Sequence, residues 1–243
     1  MTITHGTYKK NDANYLGDLQ QYKHPKENFK IVINSIRSVY GQNSISLIDI
    51  GCASGAFIYY AKQELNLQIC AGTDISELHL SQAREYLADV EFVQDSITAP
   101  QYRFNHQFDV CVCLGTMSIF DEIDQCFVNL LSYVKSGGCL YISDLVNDYP
   151  VDVVMRYRLV QADSHSDWQA GFNVRSKLTY EHLIQRISPG ATWIWRDFEM
   201  PFAITPSSNP MRAWTMQTEH KSHQLVVGTG QLLNFKILQV IKA

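Results

Sequence analysis

Asp49, Gly51 and Gly55 are the residues whose types and spacing promise chemistry. They stand in Leu47-Ile48-Asp49-Ile50-Gly51-Cys52-Ala53-Ser54-Gly55-Ala56-Phe57, where an apolar run meets a glycine loop and then a helical pattern. A strand, a tight turn and a helix start in that order form the first unit of a nucleotide-binding sheet. Gly51 lets the chain bend where a side chain would clash, and Gly55 lets backbone approach a ligand or the next helix. The spacing is G-x-x-x-G rather than the G-x-G-x-x-G of a dinucleotide site, and no Gly-Lys-Ser/Thr follows, which excludes a phosphate-cradling loop. A carboxylate at Asp49 repels phosphate and attracts an ammonium group. The ligand that suits such a loop is a nucleoside bearing an amino acid.

Two further acids recur at strand ends. Asp74 closes Gln68-Ile69-Cys70-Ala71-Gly72-Thr73-Asp74, and Asp95 closes Val90-Glu91-Phe92-Val93-Gln94-Asp95. An acid ending the second strand is placed to accept hydrogen bonds from ribose hydroxyls. Asp95, followed by Ser96, is placed to accept from an exocyclic adenine amine.

With these residues the chain resembles the class I S-adenosylmethionine-dependent methyltransferases. The run from Phe108 through Leu114-Gly115-Thr116 to Phe120 is similar to that family's fourth strand and following loop. Residues 134–144, with Gly137-Gly138, are similar to its fifth strand and preceding turn. The resemblance covers residues 30–145 well and implies S-adenosylmethionine as cofactor. It implies that Asp49 and Gly51 hold the loop and the methionine ammonium, partly through water. Cys52, Ala53 and Gly55 would line the carboxylate and sulfonium. Asp74 would bind the ribose, with Ile75 against the adenine and Asp95 and Ser96 at its edge. Leu114 and Gly115 would give backbone contacts beside the sulfonium. Cys52 departs from the other small or polar residues common there.

The elements that must position these residues are legible in the periodicity. Helical spacing runs over 26–40 and 56–67, and Ser76 can cap a helix reaching about Ala88. Asp121 can cap another carrying Ile123, Phe127, Leu130, Leu131 and Val134 inward, stopped at Gly137-Gly138. Strands alternating with helices predict an α/β fold with a doubly wound, seven-stranded, mostly parallel sheet, Rossmann-like, with insertions near the C-terminal half. Residues 109–114 and 138–143 read as strands buried on both faces. Residues 192–198 and 233–240 read as closing strands, the last pair antiparallel as is usual in this fold. The 243 residues suit a single domain: an N-terminal arm and helix over 1–45, a cofactor-binding core over 46–145, and substrate-side insertions with the closing strands over 146–243.

Acceptor recognition is expected outside the cofactor half. Residues 153–160 read as an amphipathic helix, 165–173 as a polar, aromatic covering loop, and 179–187 as a capped helix. Residues 201–215 form a proline-punctuated insertion with Arg212 beside Trp214, and 221–232 a short hairpin. These pieces, with the arm around Tyr15 and Tyr22, are the candidate lid. Methyl transfer is an in-line displacement whose leaving thioether is neutral, so alignment supplies much of the catalysis. A hydroxyl nucleophile also needs a base, and Asp144 and His165 are the candidates.

The net charge is −4 with no basic tract, which disfavours a nucleic-acid partner. The N-terminus has no apolar signal core and no long apolar stretch follows, so a cytoplasmic protein without membrane association is expected. Six scattered cysteines suggest buried reduced thiols and no metal site. The expected activity is methyl transfer to a small polar metabolite, with O-methylation of a sugar or nucleotide sugar as the finer reading. That finer reading rests on a faint likeness of residues 168–173 and 209–215 to bacterial surface-polysaccharide methyltransferases. The rivals are a nucleic-acid or protein methyltransferase and a non-catalytic cofactor-binding module. Cys113-Leu114-Gly115-Thr116 lacks the Asn/Asp-Pro-Pro-Tyr pattern of adenine amino-methylating enzymes.

Overall fold

A computed structural model describes residues 20–160 and 162–243. Tyr15 and the first part of the N-terminal arm lie outside the described residues. The central sheet takes the order β3-β2-β1-β4-β5-β13-β9. These strands are β1 (Ile45–Ile50), β2 (Leu67–Asp74), β3 (Glu91–Gln94), β4 (Phe108–Leu114), β5 (Val134–Asn147), β9 (Thr192–Asp197) and β13 (Phe235–Ile241). β1 to β5 pair in parallel. β13 runs antiparallel to both β5 and β9, so it is the one inverted strand of the seven and β9 returns to the common direction.

Alternating side chains feed two cores, as the pleat requires. Leu47 of β1 and Val110 and Val112 of β4 pack with Phe29, Ile33 and Ile36 of α2 (Glu27–Tyr40), Phe57 and Ile58 of α3 (Ala56–Glu64) and Leu80 of α4 (Glu77–Tyr86). Ile48, Ile50, Cys111 and Cys113 point the other way. They meet Phe127 and Leu130 of α5 (Asp124–Ser132) and Tyr180 and Ile184 of α6 (Lys177–Ile187). The doubly wound sheet expected from the alternation is therefore present. All six cysteines are buried and free. A short helix, α1 (Gln20–Lys23), precedes these layers. Among the described residues no helix is long and apolar enough to cross a membrane.

Several boundaries differ from the sequence expectation. α3 stops at Glu64, because Leu67 already belongs to β2. Ser76 does cap α4, accepting from the His79 amide at 3.5 Å. α5 begins after Ile123 without a side-chain cap, because the Asp121 carboxylate is engaged elsewhere. α6 is capped by Ser176, whose hydroxyl accepts from the Leu178 amide at 3.1 Å. β5 runs past Asp144 to Asn147, so Asp144 lies inside the strand rather than at its end.

The largest correction concerns residues 153–160, which form no helix. Val153 bridges to Val174, β6 (Arg156–Tyr157) pairs antiparallel with β7 (Gln169–Ala170), and Val160 bridges to His165. The β-branched valines suit this antiparallel ribbon, whose partner strand takes the backbone bonds that a helix would have made internally. The ribbon returns through β8 (Arg175–Ser176), which pairs in parallel with Val146 and Asn147 of β5. Further on, the expected hairpin exists as β11 (Gln224–Val226) and β12 (Leu232–Leu233), extended by β10 (Trp214–Met216) into a small sheet.

Candidate cofactor site

The β1–α3 loop is wound by alternate left-handed residues: Gly51 at φ 77°, Ala53 at 46° and Gly55 at 80°. Ala53 carries a side chain in that region, a strain that functional loops tolerate when their surroundings hold them. Here the end of β2 does the holding. The Gly51 and Cys52 amides donate to Thr73 O at 2.8 and 3.0 Å, and the Ala53 amide donates to Asp74 Oδ2 at 2.9 Å. A Cβ on Gly51 would lie 2.3 Å from Thr116 Oγ1, so this position requires glycine on steric grounds as well. The Cys52 side chain turns away from the loop into space left by Gly72, where a Cβ would meet its Sγ at 2.9 Å. Its departure from the family pattern is thus absorbed by the core. Tyr22 of α1 donates its hydroxyl to Ser54 O at 2.6 Å, and its ring stacks on Tyr86 at 4.6 Å. Gln21 Nε2 donates to Ser54 Oγ at 2.8 Å. The described part of the arm therefore sits on the glycine loop.

The three acids emerge from neighbouring parallel strands at the edge where such sheets bind ligands. Asp49 is fully enclosed, and burial, reinforced by the nearby Asp74 charge and opposed by Lys26, pushes its carboxyl up to about 8. Asp74 accepts from the Ala53 amide through Oδ2 and from the Ser76 amide at 2.9 Å through Oδ1, tying the glycine loop to the start of α4. Asp95, just past β3, accepts from the Ser96 and Gln101 amides through Oδ1 at 2.8 and 2.9 Å and from the Tyr102 amide through Oδ2 at 3.0 Å. It thereby shapes the loop that walls the site.

A cleft of 490 Å³ opens between these ends, within the size range of small-ligand pockets. Gly51, Asp74, Ile75, Asp95 and Ser96 all line it. The structure thus brings together the loop glycine, the expected ribose acid and all three expected adenine neighbours. Asp49, Cys52, Ala53, Gly55, Leu114 and Gly115 are not among the lining residues. Gly115, at φ 85°, is tied to β5 through its amide and Ser143 O at 2.8 Å. Sequence reasoning missed Thr116, Ile119, Phe120, Asp121, Glu122, Gln125 and Cys126, which form the opposite wall. Helical periodicity pointed to the inward face of α5 and carried no sign that its first turn lines the cleft. Among the described residues, four carboxyl groups and no Lys or Arg line the cleft, which favours a cationic ligand over a phosphorylated one.

Neither expected base lines this cleft. His165 is exposed at the far end of the ribbon. Asp144 is 1% exposed and accepts from the Tyr180 hydroxyl at 2.5 Å. Burial raises its carboxyl to about 6, against the opposing pull of the Tyr180 hydroxyl, the Leu145 and Ser118 amides and the Arg175 charge.

Residues 48–140 match the family described as a methyltransferase domain. Over 117 residues the chain is 26% identical to a ubiquinone biosynthesis O-methyltransferase of Rickettsia canadensis (strain McKiel), covering 47% of this chain and 49% of that protein. The match thus spans about half the length of its curated relative. The fold is similar to that of 1,6-didemethyltoxoflavin-N1-methyltransferase from Burkholderia thailandensis, at 10% identity, with a TM-score of 0.58, over 100% of this chain and 92% of that one. It is also similar to CalS10, an amino pentose methyltransferase from Micromonospora echinaspora, at 13% identity, with a TM-score of 0.55, over 92% and 94% of the two chains. At these identities the structural likeness establishes the fold. The family match concerns residues 48–140, which hold the glycine loop and the strand-end acids.

Proposed function

We propose that the chain is a methyltransferase that takes S-adenosylmethionine in the 490 Å³ cleft and transfers its methyl group to a small polar metabolite. One observation carries this reading: Gly51 of the glycine loop and the strand-end acids Asp74 and Asp95 converge on one cleft that four carboxyl groups line. Asp74 would hold the ribose hydroxyls while keeping its loop amides, since each carboxylate oxygen accepts more than one hydrogen bond. Asp95 and Ser96 would meet the adenine edge, and Ile75 its face. Asp49, next to the bent loop, would meet the methionine ammonium. What the bound cofactor supplies is a sulfonium methyl. The chain contributes alignment of the acceptor and a dry wall from Ile119 and Phe120.

O-methylation of a sugar or nucleotide sugar is the finer proposal. The relative named as an O-methyltransferase and the structural neighbour named for an amino pentose are compatible with it.

The test is transfer of label from methyl-labelled S-adenosylmethionine into a cell extract with and without the protein. New label in small molecules supports the proposal and gives a compound to identify by mass. Label in RNA or protein overturns it. Cofactor binding without any labelled product points to the non-catalytic module instead.

A further inference from the structure

The ribbon after β5 is hydrogen-bonded into the wall of the cofactor cleft. Asn173 Nδ2 donates to Phe120 O at 2.8 Å and to Asp121 Oδ1 at 3.2 Å, and its backbone amide donates to Ser118 O at 2.9 Å. Its Oδ1 accepts from the Met155 amide at 2.8 Å, so one side chain joins both strands of the ribbon to the wall. Arg175 Nη2 donates to Phe120 O and to Asp121 O, both at 2.7 Å. Arg156 is ion-paired with Asp121 Oδ2. Phe120 and Asp121 are themselves lining residues of the cleft.

Asn173 is 0% exposed and Arg175 is 3% exposed. Burying a guanidinium is unfavourable unless charge and hydrogen bonds compensate it. Asp144 supplies a nearby charge, and the carbonyls of residues 120 and 121 take the hydrogen bonds. An arginine spent on two loop carbonyls fixes where that loop stands. An apolar side chain could fill the volume without fixing it.

We propose that Asn173 and Arg175 are positioning residues for the cofactor cleft, through which the ribbon of residues 153–174 sets the place of Phe120 and Asp121. This inference rests on the proposed cofactor reading. Order gained in the ribbon is then transmitted to the cleft, and cofactor binding stiffens the ribbon in return.

S-adenosylhomocysteine is titrated into the wild-type chain and into Asn173→Ala, Arg175→Met and Arg175→Lys, with melting temperature and amide exchange of residues 117–122 followed in parallel. Ile36→Val, a core change on the opposite face of the sheet from this loop, serves as the stability control. Asn173→Ala and Arg175→Met are expected to weaken binding about tenfold, the scale of one hydrogen bond to a charged group, and to speed exchange in residues 117–122. Arg175→Lys is expected to recover part of the affinity, and Ile36→Val to lower the melting temperature while leaving the affinity unchanged. Variants that melt earlier but bind like the wild type overturn the proposal. Should Arg175→Met fail to fold, Arg156→Gln reads the same link at a half-buried ion pair, with an expected loss of about threefold; unchanged affinity there overturns the proposal as well. A wild-type chain that does not bind S-adenosylhomocysteine overturns the proposed function, and this inference with it. Wild-type binding with unaffected variants overturns this inference alone.

Discussion

Asp74 does two jobs at once, and its substitution should show both. Removing its carboxylate frees the Ala53 and Ser76 amides and takes away the proposed ribose acceptor. Asp74→Ala is expected to weaken S-adenosylhomocysteine binding by about 1–3 kcal/mol, as measured by calorimetry. Unchanged affinity in a folded variant would show that the ribose assignment is wrong. Asp49 makes a pH prediction. Its carboxyl, ordinarily at 3.8, is raised on folding to about 8, so the folded chain binds that proton more tightly than the unfolded chain. Its contribution to stability is therefore greatest below the ordinary value and falls as pH rises to about 8. Asp144, raised to about 6, acts in the same direction over the lower part of that window. Asp49→Asn should flatten the decline in melting temperature between pH 5 and 8. A ligand ammonium beside Asp49 favours the ionised form, so cofactor binding at pH 7 should release a proton. Calorimetry in buffers of different ionisation enthalpy would read that release, and its absence would separate Asp49 from the ammonium.

The decisive element is the β1–α3 loop, held from three sides by β2, α1 and Thr116. Gly51→Ala meets both a left-handed backbone and the Thr116 hydroxyl. It should destabilise the fold by about 1–3 kcal/mol and remove detectable cofactor binding, as followed by thermal denaturation and titration. Tyr22→Phe is milder: it loses one hydrogen bond to Ser54 O and keeps the stack on Tyr86. The glycine loop itself was legible in the sequence because glycines and strand-end acids are local signals. The ribbon was not. Residues 153–160 show an apolar spacing that a helix could use, and only their pairing with residues 165–174 reveals where their backbone bonds go.

At the scale of the molecule, β13 inserted between β5 and β9 closes the sheet, and the ribbon joins the C-terminal half to the cleft wall. Ligand binding should therefore be felt throughout the fold. S-adenosylhomocysteine at a hundred times its dissociation constant is expected to raise the melting temperature by roughly 5–10 °C. A flat response would count against an operative cofactor cleft. The four carboxyl groups that line the cleft also predict that affinity for a nucleoside diphosphate stays negligible at low salt, and tight binding of one would contradict the electrostatic reading.

The order of strands and helices from β1 to β5, the glycine turn and the positions of Asp49, Asp74 and Asp95 were determined by the sequence alone. Each rests on short-range physics: side-chain alternation, a backbone that only glycine adopts comfortably, and acids at strand ends. Tertiary structure decided what long-range contact decides. It carried β5 past Asp144 and buried that carboxyl against Tyr180. It left His165 at the tip of a ribbon, and it engaged Asp121 with Arg156 and Asn173 instead of the helix it precedes. The partners of Asp121 and Asp144 lie 35 to 52 residues away in the chain, and no local pattern encodes which distant group will claim a side chain.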